Sequence, residues 1–342
     1  MRMCYLSKNY NELSSAGNKA KTDIEKIMQQ QGFRNVGLKQ SCSSNKLLGF
    51  LLTLAGVLKT PFSLRKGDML VLQYPLKKYY LLACRIARLR GCKTVTVIHD
   101  LGSFRRKRLT AEKEIKRLRF SDHIIAHNSC MKRWLEERGC KQSIGCLEIF
   151  DYLSSTSASP REFPRQHTIL YAGALSYRKN PFLYDWEEHM HNYRLNLYGN
   201  GFDIEQFKRG GKQISYKGFV ASDLLIASAE GSFGLVWDGT SIDLCSGDFG
   251  EYLQYNNPHK TSLYIRCQLP IIIWEKAALA SFVKENGIGI CVGSLHEIEE
   301  RFARMEAGEY REMVENIEVI NQRLSQGYYF RKAIGEAQKT LA

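Results

Sequence analysis

A histidine and an aspartate stand together where a predicted strand meets its loop, in the segment TVTVIHDLGSF (residues 94–104). His99 and Asp100 follow an apolar run, so both would lie at the mouth of a ligand cleft, where a general base is useful. An isolated histidine-aspartate pair at a strand end serves the structure alone more often than it serves catalysis. The sequence leaves both interpretations of this pair open.

Small and cationic residues follow another predicted strand, in the segment YAGALSYRKN (residues 171–180). Gly173 permits close approach of the backbone to a ligand, and Arg178 and Lys179 could reach the oxygen atoms of a diphosphate. Tyr216 closes a later strand, where its ring could face a nucleobase. Together these residue types suit a nucleoside diphosphate.

A loop at residues 11–19 precedes the first predicted helix and contains Ser14, Ser15 and Gly17. Small residues and exposed amides at a helix N-terminus can approach a phosphate or a sugar closely. Either serine could instead only cap the helix. The loop is not a phosphate-binding P-loop, because no GKS or GKT follows it.

The segment NNPHKTSLYIRCQLPIIIWEKAALASFVKENGIG (residues 256–289) holds a third group of candidates. Lys260 and Thr261 stand where a polar loop leads into a predicted helix, and Glu275 follows an apolar strand. A lysine in a surface loop is ordinarily only solvated. The residues of this segment therefore do not assign a function by themselves.

Short β-branched and aromatic runs alternate with segments of helical period, a pattern typical of doubly wound α/β folds with parallel sheets. Residues 151–166 are rich in Ser, Thr and Pro, which is typical of a linker. We therefore predict two Rossmann-like units, residues 1–150 and 167–325, and a C-terminal helix at 326–342. Ligands of parallel sheets bind beyond the carboxyl ends of the strands, so the two units would face each other across a cleft. Strands are predicted at 3–6, 35–38, 69–74, 94–99, 123–126, 144–149, 168–171, 194–197, 213–216, 232–236, 271–274 and 289–292.

The positive charge lies in the first half of the chain, which has a net charge of +14 overall. Residues 1–150 hold 29 Lys+Arg and 11 Asp+Glu, whereas the remaining residues hold 20 and 24. Such asymmetry favours an acidic partner, namely nucleic acid, an anionic membrane surface or a phosphorylated substrate, unless it only keeps the protein soluble. A nucleic-acid site would use a cluster of cations, namely Arg105, Arg106, Lys107, Arg108, Lys113, Lys116, Arg117 and Arg119. Phe104 and Phe120 flank this cluster, but no aromatic residue lies between its cations, which argues against a nucleic-acid site.

Several other classes of protein are disfavoured by the sequence. None of the ten cysteines forms a CxxC pair, so we expect reduced thiols and no metal. The N-terminus lacks a signal-peptide pattern, and the longest apolar stretch, residues 47–58, is too short to span a bilayer. We expect a cytoplasmic protein, peripheral at most to the inner face of the membrane. A dehydrogenase is disfavoured because Gly199 and Gly201 lack the third glycine of the dinucleotide fingerprint.

The segment around Lys260 carries a specific resemblance. The pattern P-x-K, then Y, LPIII and ENGIG resembles the donor-binding region of GT-B glycosyltransferases. SSAGNKAKTDI, IHD, ISYKGF, FGLVW and GYYFRKA extend it, in order, to glucosyltransferases that lengthen serine-rich adhesin glycans and to galactofuranosyltransferases. The family's AAGLP is replaced here by RCQLP (residues 266–270), which leaves the sugar preference open.

The resemblance implies the GT-B fold and places the candidate residues around a nucleotide-sugar. It implies that Ser15 lies on the acceptor side, that Arg178 or Lys179, Tyr216 and Lys260 surround the nucleotide, and that groups near Glu275 contact the donor sugar. The implied reaction moves a glucose- or galactofuranose-type hexosyl group from a UDP-sugar to a glycan acceptor, either lipid-diphosphate-linked or on a glycoprotein.

The same resemblance implies no cofactor and no metal ion. The chain contains no D-x-D motif, with which GT-A enzymes hold a divalent metal. Cationic side chains and helix N-termini would neutralise the leaving diphosphate instead. A homo-oligomer is compatible with the sequence, and a basic nucleic-acid-binding protein is the alternative from another class.

Overall fold

Buried apolar strands alternate with helices along the chain in the computed structural model, which describes residues 1–10, 16–76, 79–105, 109–207 and 212–342. The residues group into two units. The first unit comprises Met1–Asp151 and Gly327–Ala342, and the second comprises Tyr152–Gln326. Each unit is built around its own sheet.

The sheet of the first unit has six parallel strands in the order β3-β1-β5-β6-β7-β8. Every residue of β5 and β7 is buried, as expected for strands that are covered on both faces. A short parallel pair, β2 and β4, lies outside this sheet. The strands are β1 (Met3–Tyr5), β2 (Asn9–Tyr10), β3 (Arg34–Asn35), β4 (Ser41–Cys42), β5 (Met69–Tyr74), β6 (Lys93–Ile98), β7 (His123–Ala126) and β8 (Ser143–Cys146).

Polar caps begin three of the helices of the first unit. The side chains of Asn45, Thr110 and Asn128 each accept backbone N–H groups in the first turn of α2, α5 and α6. The helices are α1 (Ala16–Gln30), α2 (Lys46–Ser63), α3 (Tyr80–Leu89), α4 (Gly102–Arg105), α5 (Ala111–Leu118) and α6 (Ser129–Glu137).

The sheet of the second unit has six parallel strands in the order β11-β10-β9-β12-β13-β14. Because all six strands run the same way, the loops that follow them open at one edge of the sheet, here called the carboxyl edge. The strands are β9 (Thr168–Ala174), β10 (Arg194–Asn200), β11 (Ile214–Gly218), β12 (Phe233–Val236), β13 (Ile271–Trp274) and β14 (Gly289–Val292).

Helices connect the strands of the second unit. They are α7 (Phe182–Asp185), α8 (Ser222–Ser228), α9 (Gly247–Glu251), α10 (His259–Arg266), α11 (Ala280–Glu285), α12 (Glu297–Arg304) and α13 (Ala307–Ser325). Short 3-10 turns lie at Glu187–His189 and Tyr252–Gln254.

The last helix, α14 (Tyr328–Leu341), returns to the first unit and packs on β7 and β8. The buried carboxylate of Asp151 accepts the backbone N–H groups of Tyr329, at 3.1 Å, and of Phe330, at 2.7 Å. Lys332 of α14 also pairs with Glu148 at 2.5 Å. A buried cap and a surface ion pair therefore fix the start of this helix.

The predicted α/β class with two parallel-sheet units is confirmed. Four predicted strands, residues 69–74, 123–126, 271–274 and 289–292, have the observed bounds. The strand predicted at 144–149 ends at Cys146, because the backbone of Glu148 adopts a left-handed conformation with φ 72°. Among the described residues, no helix is long and apolar enough to cross a bilayer.

Candidate functional site

The carboxyl edge of the second sheet gathers most of the residues that the sequence singled out. Lys179 follows β9, Tyr216 lies in β11, and Glu275 follows β13. Lys260 lies in the first turn of α10, the helix that leads from this edge back to the start of β13. The parallel topology alone brings these four positions to one side of the sheet.

Lys260 is the best-anchored of these side chains. Its Nζ donates to Oη of Tyr171 at 3.0 Å, to Oδ1 of Asp238 at 3.0 Å and to the carbonyl of Trp237 at 3.2 Å. It also lies 4.1 Å from the centre of the Tyr171 ring, a cation–π distance. Its side chain is only 11% exposed. Lys260 therefore differs from an ordinary solvated loop lysine, because residues distant in the sequence bury its side chain.

Asp238 is the residue that sequence reasoning missed. It accepts hydrogen bonds from Lys260, from Lys179 at 3.2 Å and from the Tyr171 hydroxyl at 2.8 Å. Burial opposes ionisation of the carboxyl, but the two ammonium groups outweigh it and hold the pKa of Asp238 well below its usual range. The available signal was an acid placed just beyond the buried strand FGLV.

Two cations on one carboxylate leave this cluster, Lys179–Asp238–Lys260, with a net positive charge. Burial lowers the pKa of Lys260 to about 8, although Asp238 acts to raise it. Lys260 is therefore mostly protonated at neutral pH. A buried, net-positive cluster at the carboxyl edge of a parallel sheet suits an anionic ligand.

Two glycines allow β9 and β10 to approach each other at this edge. Gly199 has φ 144°, and a Cβ atom there would lie 1.8 Å from the carbonyl oxygen of Gly173. Gly173 has φ 152°, and its own missing Cβ faces open space. Gly199 therefore permits the close packing of the strands, whereas Gly173 leaves room for a ligand.

Tyr216 lies beside this glycine pair. Its hydroxyl donates to the carbonyl of Gly199 at 3.1 Å, and its ring lies 5.2 Å from that of Phe202. The residue is 39% exposed, so part of the ring is accessible. The exposed aromatic face could stack on a planar group such as a nucleobase.

The remaining predicted residues of the second unit are in different environments. Thr261 follows Lys260 in α10 and is buried, and its Oγ1 has no hydrogen-bond partner among the described residues. Glu275 is exposed and lies next to Gly293 beyond β14. Arg178 is exposed and takes no part in the described contacts of the cluster. Ser15 lies outside the described residues.

His99 and Asp100 lie at the end of β6 in the first unit, where both are half-buried. The ring of His99 stacks on Phe150 with centroids 5.4 Å apart. Its Nε2 lies 2.7 Å from Oε1 of Gln73, which stands near the end of the neighbouring strand β5. Gln73 in turn donates to the carbonyl of Lys21 at 3.2 Å, so the imidazole is held between two elements.

Glu114 fixes the loop that follows Asp100. Its carboxylate accepts the backbone N–H groups of Gly102 and Ser103, both at 2.9 Å, and the hydroxyl of Tyr74 at 2.8 Å. The sequence treated this region as a basic cluster and missed the buried acid within it. The backbone beyond Asp100 is therefore tied to α5 by an acid that is fully hydrogen-bonded.

No group of three or more His, Cys, Asp or Glu side chains is arranged to hold a metal ion within the part of the chain that the structure describes. The cations of the basic cluster from Arg106 to Arg108 lie outside the described residues. Arg119, by contrast, donates to the carbonyl of Gly139 at 2.8 Å.

Comparison with known proteins gives matches over nearly the whole chain. Residues 3–149 match the family described as Glucosyltransferase 3-like, N-terminal domain, and residues 169–337 match Glucosyltransferase 3-like, C-terminal domain. The beta-1,6-galactofuranosyltransferase WbbI of Escherichia coli (strain K12) is 34% identical over 282 residues, which is 80% of each chain. Glucosyltransferase 3 of Streptococcus gordonii is 24% identical over 333 residues, covering 93% of this chain and 92% of that protein.

A solved structure shares the fold. The lipopolysaccharide outer core galactosyltransferase WaaB, in its apo form, superimposes with a TM-score of 0.61 and 14% identity, covering 100% of both chains. At that identity the likeness concerns the fold alone. The two parallel six-stranded sheets thus match the architecture of GT-B glycosyltransferases.

Proposed function

The chain belongs to the glucosyltransferase 3-like family of glycosyltransferases, and from this premise we propose that it moves a hexosyl group from a UDP-sugar to a glycan acceptor. The hexose is of the glucose or galactofuranose type, the two sugars named for its relatives. Family membership supports a transferase over the nucleic-acid-binding alternative, which the sequence left open, and over a dehydrogenase, which the sequence already disfavoured.

The observation that carries the proposal is the cluster Lys179–Asp238–Lys260. A departing nucleoside diphosphate gains negative charge in the transition state, and preoriented cations stabilise that charge. Lys260 is held in one direction by Tyr171, Asp238 and the Trp237 carbonyl, so little side-chain entropy is lost when the diphosphate binds. We assign Lys260 and Lys179 to the donor diphosphate.

The remaining parts of the donor are assigned by position. The open space beside Gly173 would admit the diphosphate backbone, and the exposed ring of Tyr216 would face the uracil. Glu275, at the end of β13, would contact hydroxyl groups of the transferred sugar. Thr261 offers a buried hydroxyl next to Lys260 that could donate to a phosphate oxygen.

The reaction as proposed requires no metal ion. Charge on the leaving UDP would be neutralised by two lysines, which is the work that a divalent cation performs in other transferases. The first unit would receive the acceptor. If the transfer inverts the anomeric centre, Asp100 is the preferred general base and His99 its rival, because both stand at a strand end in a half-buried setting.

We propose an acceptor glycan of surface polysaccharide or glycoprotein synthesis, presented in the cytoplasm on a lipid diphosphate or on a protein. The strongly basic first half of the chain supports an acceptor of negative charge. Anionic carriers of this kind lie at a membrane surface.

A thermal-shift panel of UDP, GDP and CMP tests the nucleotide class directly. A ligand that binds only the folded state raises its stability with the logarithm of occupancy. UDP should raise the melting temperature more than GDP or CMP at equal concentration. A shift with GDP or CMP and none with UDP would overturn the proposed donor.

A further inference from the structure

The outward face of α2 carries an apolar stripe that no other part of the described chain covers. Leu47, Leu51, Leu58 and Phe62 are 69%, 49%, 53% and 90% exposed. At about 100° per residue, these four positions fall within roughly 60° of one another around the helix. Val57, which is fully buried, faces the protein instead. The helix thus has apolar residues on its solvent side as well as its core side.

The neighbouring helix α3 extends the stripe into a patch. Leu82 is 38% exposed and Leu89 is 85% exposed. The C-terminal ends of the two helices are joined, because Arg90 donates to the carbonyl of Leu64 at 3.0 Å. Exposed apolar side chains on two neighbouring helices, with polar residues around them, are typical of an interaction site.

The charged residues in the sequence segment that carries this patch are almost all basic. Residues 26–99 contain 13 Lys+Arg and a single acid, Asp68. Asp68 is buried and paired with Arg2 at 2.5 Å, so it does not offset the exposed cations. The exposed cations of α2, α3 and the turns that follow them are Lys59, Arg65, Lys66, Arg85, Arg88 and Arg90.

We propose that the outward faces of α2 and α3 dock on the surface of an anionic lipid bilayer. Leu47, Leu51, Leu58 and Phe62 would enter the boundary between headgroups and acyl chains, while the surrounding cations contact lipid phosphates. The proposal does not depend on the identity of the sugar donor. It adds to the basic charge of the first half of the chain a surface that offers insertion as well as charge.

Charge favours a bilayer over a second copy of the chain as the occupant. A twofold contact would place this basic surface against itself, and like charges brought close together repel. Anionic headgroups would instead neutralise the cations while the acyl region accepts the leucines. The combination of an apolar stripe with basic residues is the pattern of helices that lie in a membrane interface.

Vesicle flotation of the purified full chain tests the docking. The wild type should float with vesicles of phosphatidylcholine and phosphatidylglycerol, and not with phosphatidylcholine alone. Lys59→Gln with Arg65→Gln should weaken binding about 30-fold, from roughly 1 kcal/mol per cation. Leu58→Gln with Phe62→Gln should weaken it at least about tenfold. If both double variants bound the vesicles as tightly as the wild type, the proposal would be wrong.

A matched control comes from the second unit, where Ile204 and Val319 are 65% and 51% exposed. Ile204→Gln with Val319→Gln removes comparable apolar surface elsewhere and should leave flotation unchanged. An equal loss in this pair would show that general hydrophobicity, not the patch, drives binding. If circular dichroism shows that the Leu58→Gln with Phe62→Gln variant does not fold, Leu47→Gln with Leu51→Gln provides a second test of the same stripe.

Insertion has a separate optical readout. The four native tryptophans, Trp134, Trp186, Trp237 and Trp274, are each at most 4% exposed. A Phe62→Trp substitution therefore adds an exposed indole to a protein whose native tryptophans are buried. If this indole enters the bilayer, lipids with brominated acyl chains should quench its fluorescence. Absence of quenching on bound vesicles would rule out insertion. Sedimentation without lipid tests the competing occupant. If the wild type is an oligomer and the Leu58→Gln with Phe62→Gln variant is a monomer, a second copy of the chain occupies this face and the proposal is wrong.

Discussion

At the scale of single residues, Lys260 has three oxygen partners and one aromatic partner, and its removal would leave Asp238 with Lys179 as its remaining cation. We expect Lys260→Ala to lower turnover more than donor affinity, with a loss of about 2–4 kcal/mol in transition-state stabilisation. The measurement is kcat and KM of the purified variant. Because the side chain is buried, its melting temperature should also fall.

Lys217 supplies the matched control for Lys260. It lies in the same unit and pairs with Glu230 at 2.7 Å, but that pair is at the surface. Lys217→Ala should leave kcat and stability nearly unchanged, since exposed ion pairs contribute little. A folded Lys260→Ala protein with normal turnover and normal UDP affinity would remove Lys260 from the proposed site.

Burial lowers the pKa of Lys260 and Asp238 opposes that shift, which gives a pH prediction. Lys260 has a pKa of about 8, so kcat/KM of the wild type should fall as the pH rises through that value and the ammonium is lost. Asp238→Asn removes the group that raises this pKa, so the falling limb should move to lower pH. Asp243→Asn, at an exposed position, is the control. An alkaline limb that stays in place in Asp238→Asn would contradict the assignment.

Asp100 is the proposed base of an inverting transfer. Asp100→Asn should then depress turnover by about two to four orders of magnitude while UDP affinity stays nearly intact. Steady-state kinetics together with UDP titration separate the two quantities. Near-normal turnover in Asp100→Asn would indicate a retaining mechanism or a different base.

At the scale of elements, the buried cap at Asp151 is the stronger of the two contacts that fix the start of α14. Asp151 accepts two backbone N–H groups at the start of this helix, so Asp151→Ala should lower the free energy of unfolding by about 1–2 kcal/mol. Hydrogen exchange should accelerate at Tyr329 and Phe330. Glu148→Ala, which removes an exposed ion pair to the same helix, should change stability by less than about 0.5 kcal/mol. Equal effects of both substitutions would refute the role of the cap.

At the scale of the whole molecule, we predict that the protein binds UDP without a metal ion. UDP should raise the melting temperature equally in magnesium and in EDTA, because two lysines are proposed to neutralise the diphosphate. Differential scanning fluorimetry with both buffers measures this. If EDTA abolished the UDP shift, a metal ion would carry the diphosphate and the proposed role of the lysines would be wrong.

Much of the fold could be predicted from the sequence, because buried parallel strands leave a local signal. The run at 271–274 is wholly apolar and the run at 69–74 is apolar except for Gln73, so their bounds follow from composition. The pair β2 and β4 was missed, because two-residue strands have no period to detect. The helix at the C-terminus was predictable from its period, but its return to the first unit was not.

The candidate site, like the fold, was predictable from the sequence only in part. Residue type and strand-end position selected Lys179 and Tyr216 as candidates, whereas Lys260 and Glu275 also needed the family resemblance. The sequence could not reveal that Lys260 is buried, because its partners Tyr171 and Asp238 lie 89 and 22 residues away along the chain. Local composition determines which segments form strands and helices. Only the tertiary structure decided which charges meet, since parallel strand order brings distant loops to one edge and burial then fixes their partners.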